Sequence, residues 1–283
     1  MTRRDGWLGA ADGTRLYWQA WEPDAEPRDT VILVHGAAEH GGRYGHVAER
    51  LVREGYVVYA LDHRGHGRSN GARAMIDRLD QLVEDLGLFV ARVGGRPYLV
   101  GHSMGGAVAL TYAIRHGDTI SGLVVSGPAV ATDAVPAPLK AITALLSKVA
   151  PKLPVFKIEE DAVSRDPHVV RDYKSDPLNH PGKLPARTLG EIVRGMDFIQ
   201  RDAVALRVPL LLLHGGEDRL CPPEGSRAIH AAAGSADKTL KIYDGLYHEV
   251  FNEPERDQVL DDVVDWLAAR STPPVRSAEA AAG

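Results

Sequence analysis

The sequence predicts an α/β fold: a mostly parallel, doubly wound sheet with a helical segment inserted late in the chain. Short apolar, β-branched runs bounded by turn residues alternate with longer helical stretches, the pattern of strands covered on both faces and joined by crossover helices. One such run passes through Gly101-His102-Ser103-Met104-Gly105-Gly106 straight into a helical stretch. The alternation then stops between about residues 129 and 202, where prolines punctuate helical patterns.

Taken in order, residues 7–21 around Asp12-Gly13 predict an antiparallel hairpin with its turn at Asp-Gly. Strands are predicted at 30–35, 56–61, 98–101, 122–126, 209–214 and 239–243, and helices at 44–54, 79–93, 105–116 and 225–233. A structureless loop is improbable over 129–202, so that stretch is expected to be a folded cap, helical and without strands, set where a lid would be. Residues 1–128 and 203–270 then make the catalytic domain, and the small-residue tail at 271–283 is expected to fray.

Composition narrows the function. Across 283 residues, 33 Lys+Arg stand against 38 Asp+Glu, and 44% of residues are hydrophobic, which excludes a disordered chain. A slightly acidic chain without a basic stripe has no means of neutralising a phosphate backbone, so nucleic acid is not an expected partner. The single Cys forms no internal disulfide, and the polar start Met1-Thr2-Arg3-Arg4-Asp5-Gly6 reads as no secretory leader. The greasiest window, Val208-Pro209-Leu210-Leu211-Leu212-Leu213, falls far short of the roughly 20 apolar residues that span a bilayer. The expectation is a soluble, cytoplasmic protein able to touch a membrane surface. The oligomeric state is not legible.

The chemistry centres on Ser103. A strand, a tight turn and a helix around G-x-S-x-G form a nucleophile elbow, whose glycines are required because Cβ atoms beside the serine would collide. A serine hydroxyl needs a histidine to take its proton and an acid to orient that histidine. In the chain order nucleophile, acid, base, the base follows the last strand, and His248 is the only histidine beyond Thr239. The acid belongs at the carboxyl end of the 209–214 strand, where Asp218 stands first and Glu217 second, with Asp244, after the last strand, as a third alternative. Oxyanion donors are expected from the backbone N–H groups of Met104 and, in the loop after the first parallel strand, of Ala37.

Four strings, His35-Gly36-Ala37-x-Glu39-His40-x-Gly42-Arg43-Tyr44, Asp62-His63-Arg64-Gly65-His66-Gly67-x-Ser69, Gly101-His102-Ser103-Met104-Gly105-Gly106 and Lys238-Thr239-Leu240-Lys241-Ile242-Tyr243, together resemble the monoacylglycerol lipase family of α/β-hydrolases. The likeness spans about residues 7–270 and is weakest in the cap, where Tyr173-Lys174-Ser175-Asp176-Pro177-Leu178 carries it. It implies an α/β-hydrolase fold with a helical cap, a Ser103-Asp218-His248 triad and an oxyanion hole at Ala37 and Met104. It also implies that Glu39, Arg43, His102 and Tyr173 face the glycerol end of the substrate, although a loop-ordering role for Glu39 and His40 stays open.

His63 and His66 read as support for the elbow, because no acidic or thiol partners cluster at metal-ligand spacing. Cys221 is either a spectator thiol near the acid loop or part of the pocket wall. In the cap, Leu139, Ile142, Leu145, Leu146 and Val149 recur at helical spacing among Lys140, Lys148 and Lys152. The favoured reading packs this apolar stripe over the active site, with Leu145 and Leu146 guiding the acyl chain, and the other sets it transiently in a membrane or lipid aggregate.

The expected reaction is hydrolysis of a monoacylglycerol to fatty acid and glycerol through an acyl-Ser103 intermediate, with a lipid ester as partner and neither cofactor nor metal. A broader carboxylesterase, thioesterase or lysophospholipase remains open, because a triad specifies acyl transfer and not the alcohol. A non-catalytic ligand-binding homologue would show a broken triad or oxyanion loop, and neither is broken.

Overall fold

The computed structural model describes residues 1–271. Strands β1 (Thr2–Gly9) and β2 (Arg15–Glu22) form the expected antiparallel hairpin. Its turn works through Gly13 at φ 83° and through Asp12, whose Oδ1 accepts the Thr14 N–H at 3.0 Å. Next come β3 (Asp29–Val34), α1 (Gly45–Arg53), β4 (Tyr56–Leu61), α2 (Leu79–Val93), β5 (Tyr98–His102), α3 (Met104–His116) and β6 (Gly122–Ser126). An insertion follows, made of α4 (Ala137–Val149), β7 (Pro154–Lys157), α5 (Pro167–Ser175), β8 (Lys183–Pro185) and α6 (Ala186–Asp202). The chain ends in β9 (Leu210–Gly215), α7 (Glu224–Ala232), β10 (Lys238–Tyr243) and α8 (Arg256–Ala268). The predicted alternating strands and helices are all present, with ends moved by no more than one residue.

Eight strands make one sheet in the order β1-β2-β4-β3-β5-β6-β9-β10, parallel from β4 onward. Strands β5, β6 and β9 are buried at every residue, because helices cover both faces. One core joins the sheet to α2, α3 and α7 and takes in Ile192 and Ile199 of α6; the other, with Trp21, Leu51, Val263 and Leu267, lies under α1 and α8. The strand order reverses between β3 and β5, and in open α/β sheets the crevice beyond the strands' carboxyl ends at such a point is where ligands bind.

Three expectations need correction. The insertion is not free of strands: β7 and β8 pair antiparallel, with Pro154 opposite Pro185. Prolines at the ends of such short strands, where no ladder donor is needed, mask them in the sequence. The apolar stripe of α4 does not pack inward. Leu139, Ile142, Leu145 and Val149 are 50–68% exposed, and the helix buries Thr143 and Ser147 instead. The reason is close approach to α6: a Cβ on Gly190 would stand 2.7 Å from Ser147 Cβ, so small residues face the partner helix and large ones turn outward. Finally, Ser271 is not frayed, since its hydroxyl meets Tyr56 Oη at 3.0 Å and donates to the Leu267 carbonyl at 2.8 Å. The remainder of the predicted tail, 272–283, lies outside the described residues. Among the described residues no helix is long and apolar enough to cross a membrane.

Behind the loop after β3, three buried histidines support one another. His35 donates from Nδ1 to the Gly36 carbonyl (2.8 Å) and accepts the His63 N–H at Nε2 (2.9 Å), while His63 Nε2 donates to the His35 carbonyl (3.1 Å). His66 donates from Nδ1 to the Arg64 carbonyl at 3.0 Å. Burial, reinforced by the neighbouring rings and cations, pushes His63 down to about 3, His66 to about 4 and His35 well below the ordinary imidazole value. Below about pH 6.5 the unfolded chain therefore takes up protons that the folded chain refuses. The contribution of these three histidines to stability is complete above that pH and falls as pH drops toward 4, by about 1.4 kcal/mol per pH unit for each refused proton. Melting temperature should decline accordingly between pH 6.5 and 4.5. His66→Asn, whose amide can keep the bond to Arg64, should show a slope shallower by one proton's share; an identical slope would count against the account.

Candidate active site

Ser103 sits between β5 and α3 at φ 53° and ψ −119°, a left-handed conformation that a side chain adopts only under constraint. The constraint is visible: its N–H donates to the Ser126 carbonyl (3.0 Å), and its carbonyl accepts from Ala107 (3.1 Å) and Ala129 (3.0 Å). The flanking glycines are steric necessities. A Cβ at Gly105 would lie 2.1 Å from the Val34 carbonyl oxygen, and one at Gly101 would lie 2.7 Å from that of Gly105. The elbow thus holds α3 against the end of β3 and thrusts Ser103 toward the crevice.

The loop after β9 carries Asp218 and the loop after β10 carries His248. Asp218 Oδ2 accepts the His248 Nδ1–H at 2.7 Å, while its Oδ1 accepts the Leu220 and Cys221 N–H groups at 2.8 and 2.9 Å. With that proton donated, the neutral His248 ring has its lone pair on Nε2, the form a general base needs. Burial opposes charge on His248, yet the adjacent Asp218 carboxylate outweighs it and raises the imidazole above its ordinary value. Burial likewise opposes ionised Asp218, and His248 with His214 more than compensates, holding it well below the usual carboxylate range. Glu217 is exposed and its N–H serves the Leu246 carbonyl, so the geometry separates it from Asp218.

The loop after β3 is ordered by its own side chains. Glu39 Oε1 accepts the Gly36 N–H at 2.6 Å and the Tyr44 hydroxyl at 2.7 Å, and Oε2 accepts Arg43 Nη1 at 2.5 Å. Asp62 Oδ1 accepts the Gly41 N–H at 2.8 Å. The insertion grips the same loop: His40 Nε2 donates to Asp176 at 2.8 Å, and the His180 N–H donates to the Ala38 carbonyl at 2.9 Å.

Ser103, His248, Ala37 and Met104 line one cavity of about 230 Å³. Met104 opens α3, so the positive end of a helix points at this space. Strand-end loops and the start of α3 supply most of its polar groups, among them Glu39, His102 and Glu249, whereas the insertion contributes an almost wholly apolar wall that includes Leu139, Phe156, Ile158, Leu184 and Met196. His102 is kept neutral, pushed down to about 3 by burial and the adjacent His248 ring 4.6 Å away. Tyr173 lines the cavity, and Cys221 does too, its thiol pushed up by burial.

Other expectations are not met. Arg43 does not line the cavity; it lies behind, over the Tyr173 ring at 4.7 Å, bonded to two carboxylates. Leu145 and Leu146 are absent from the wall, where α4 presents Leu139 and Thr143 instead. Two buried groups were missed: His214, whose Nε2 lies 3.1 Å from Asp218 Oδ2, and Glu249. The available signals were an imidazole directly after a run of four leucines and a carboxylate adjoining His248.

A family model described as serine aminopeptidase, S33, matches residues 25–255. A monoacylglycerol lipase of Mycolicibacterium smegmatis is 46% identical over 95% of this chain and 98% of its own. This chain is a serine hydrolase of the monoacylglycerol lipase family. Human monoglyceride lipase is 34% identical over 92% of this chain and 89% of its own. The crystal structure of a Paleococcus ferrophilus monoacylglycerol lipase superposes with a TM-score of 0.84 at 33% identity, covering 90% of this chain and 99% of that one. The architecture is accordingly the α/β-hydrolase fold.

Proposed function

We propose that the protein hydrolyses monoacylglycerol to fatty acid and glycerol, with Ser103 as nucleophile, His248 as general base and then acid, and Asp218 as its orienting partner. The observation that carries this reading is a hydrogen-bonded Asp218-His248 pair sharing with Ser103 a cavity that is polar toward the strand ends and apolar toward the insertion. Ser103 Oγ attacks the ester carbonyl as His248 Nε2 takes its proton, and the N–H groups of Ala37 and Met104 receive the oxyanion. His248 then protonates the departing glycerol, and water repeats the sequence on the acyl-enzyme. The names of the similar lipases support this choice of alcohol. Residues 129–202 act as the cap that clads the acyl chain, and Glu39, His102, Tyr173 and Glu249 present polar groups to the glycerol hydroxyls.

Groups placed to pair with hydroxyls are left unpaired by an ethyl ester or a second acyl chain. At a fixed acyl chain, the glycerol monoester should exceed the ethyl ester and triacylglycerol by roughly ten- to a thousandfold in kcat/KM. Tyr173→Phe should narrow that gap by weakening the glycerol ester alone. The carboxylates of Glu39 and Glu249 in the wall also disfavour a lysophosphatidyl ester, whose phosphate they would repel. Equal kcat/KM across this panel would favour a general esterase.

The outward stripe of α4, continued by Leu153 and Phe156, is the surface we assign to transient contact with lipid. Leu139 and Phe156 belong both to this patch and to the cavity wall, so a lipid surface here would lie at the cavity mouth. Ile142→Ser with Leu145→Ser should lower activity on vesicle-held substrate severalfold and spare a short soluble ester. Equal losses on both would remove the assignment.

A further inference from the structure

Glu249 adjoins the base but takes no part in the triad, and it is 4% exposed. A carboxylate buried to that degree needs partners arranged with care. Arg43 provides a two-pronged one, Nη1 to Oε1 and Nη2 to Oε2, both at 2.7 Å, and Asn252 Nδ2 adds a third bond at 2.7 Å. Arg43 Nη1 reaches Glu39 as well, and Glu39 holds the Gly36 N–H. Gly36 immediately precedes Ala37, and Glu249 immediately follows His248. The bonds therefore form one continuous ladder, from the base through Glu249, Arg43 and Glu39 to the residue before the proposed oxyanion donor.

We propose that Glu249 is a positioning residue that, through Arg43 and Glu39, sets the separation and orientation of the His248 loop relative to the oxyanion loop. The proposal rests on the triad reading above. Two strand-end loops far apart in sequence must meet with sub-ångström accuracy for proton transfer and oxyanion stabilisation to coincide, and a misplacement of about 1 Å can lower rate about a hundredfold. A guanidinium fork bound at both prongs is suited to hold such a distance, because its donors are planar and fixed. The Tyr173 ring stacked on Arg43 braces the fork from the insertion side.

The ladder has an electrostatic consequence too. Two carboxylates flank one guanidinium, which leaves a net negative charge near the imidazolium that His248 becomes in the transition state. The groups around this cluster are Glu39, Arg43 and Tyr44 from the oxyanion loop, His46 from α1, His102 from β5, Tyr173 from α5, Asp218 from the acid loop, and Arg256 from α8. Burial opposes ionisation of Glu249, but Arg43 holds it down to about 2, so its charge is constant wherever His248 titrates.

The test uses the full chain and a short p-nitrophenyl ester, which makes no demand on the glycerol contacts. In Glu249→Gln, kcat should fall roughly ten- to a hundredfold with KM changed less than about twofold. Loss of the nearby negative charge should move the acid limb of kcat/KM to lower pH by roughly half a unit or more. Glu249→Asp keeps the charge and shortens the reach, so it should lose turnover while its acid limb stays in place. A folded Glu249→Gln with wild-type kcat and an unmoved acid limb overturns the proposal, as does an Asp variant whose limb moves as far as that of Gln. Fluorophosphonate labelling of the wild-type enzyme keeps the two levels apart. No label on Ser103 removes the triad reading itself, whereas a labelled wild type beside an indifferent Glu249→Gln removes only the positioning role.

Discussion

Ser103→Ala lowers turnover by about a thousandfold or more, with the melting temperature little changed, because triad members act as one unit and the remaining rate comes from binding and oxyanion contacts. The backbone at Ser103 is fixed by main-chain bonds to Ser126, Ala107 and Ala129 that an alanine retains. Only the hydroxyl is lost. A fluorophosphonate should correspondingly label Ser103 and leave Ser126, whose side chain is fully buried against His102. Full activity in the alanine variant, or label on Ser126, would move the nucleophile elsewhere.

Asp218→Asn should lower turnover by about a thousand- to ten-thousandfold, while Glu217→Gln changes it little. The asymmetry follows from the donors around Asp218. Its Oδ1 receives two backbone N–H groups and its Oδ2 faces His248, with His214 close by, so every direction requires an acceptor. An amide turned one way sets its NH₂ against the Leu220 and Cys221 N–H groups, and turned the other way forces His248 into the tautomer with no lone pair on Nε2. Glu217 points to solvent. Steady-state kinetics of the two variants, with reversed phenotypes, would place the acid one residue earlier.

What could be read from the sequence was what local sterics and chain order determine. Gly101 and Gly105 announce the elbow because a Cβ at either would strike backbone, and His248 is singled out because the base must follow the last strand. The direction in which α4 turns its leucines was not legible. Their spacing is the same whether the stripe meets a cavity or the outside, and the decision rests with Ser147 and Gly190, a pairing between two helices far apart in sequence. Arg43 was misread for a related reason. The family resemblance implies a substrate contact for it, but Glu249, which captures it, lies on another loop entirely. Polar networks that cross between loops leave no periodic trace.

The pairing of β6 with β9 also governs how the protein is made. The strands are neighbours in the sheet, yet the whole insertion separates Ser126 from Leu210, so their contact closes a long loop and its entropy must be met before β9 and β10 can dock. Synthesis runs from the N-terminus, so the nucleophile elbow can fold while the acid and base are still untranslated. Until residues 218 and 248 are made the nascent chain has no partner for Ser103, and catalytic power arrives only with the last strands. A hydrolase assembled in this order stays inert toward lipid esters until its sheet is complete.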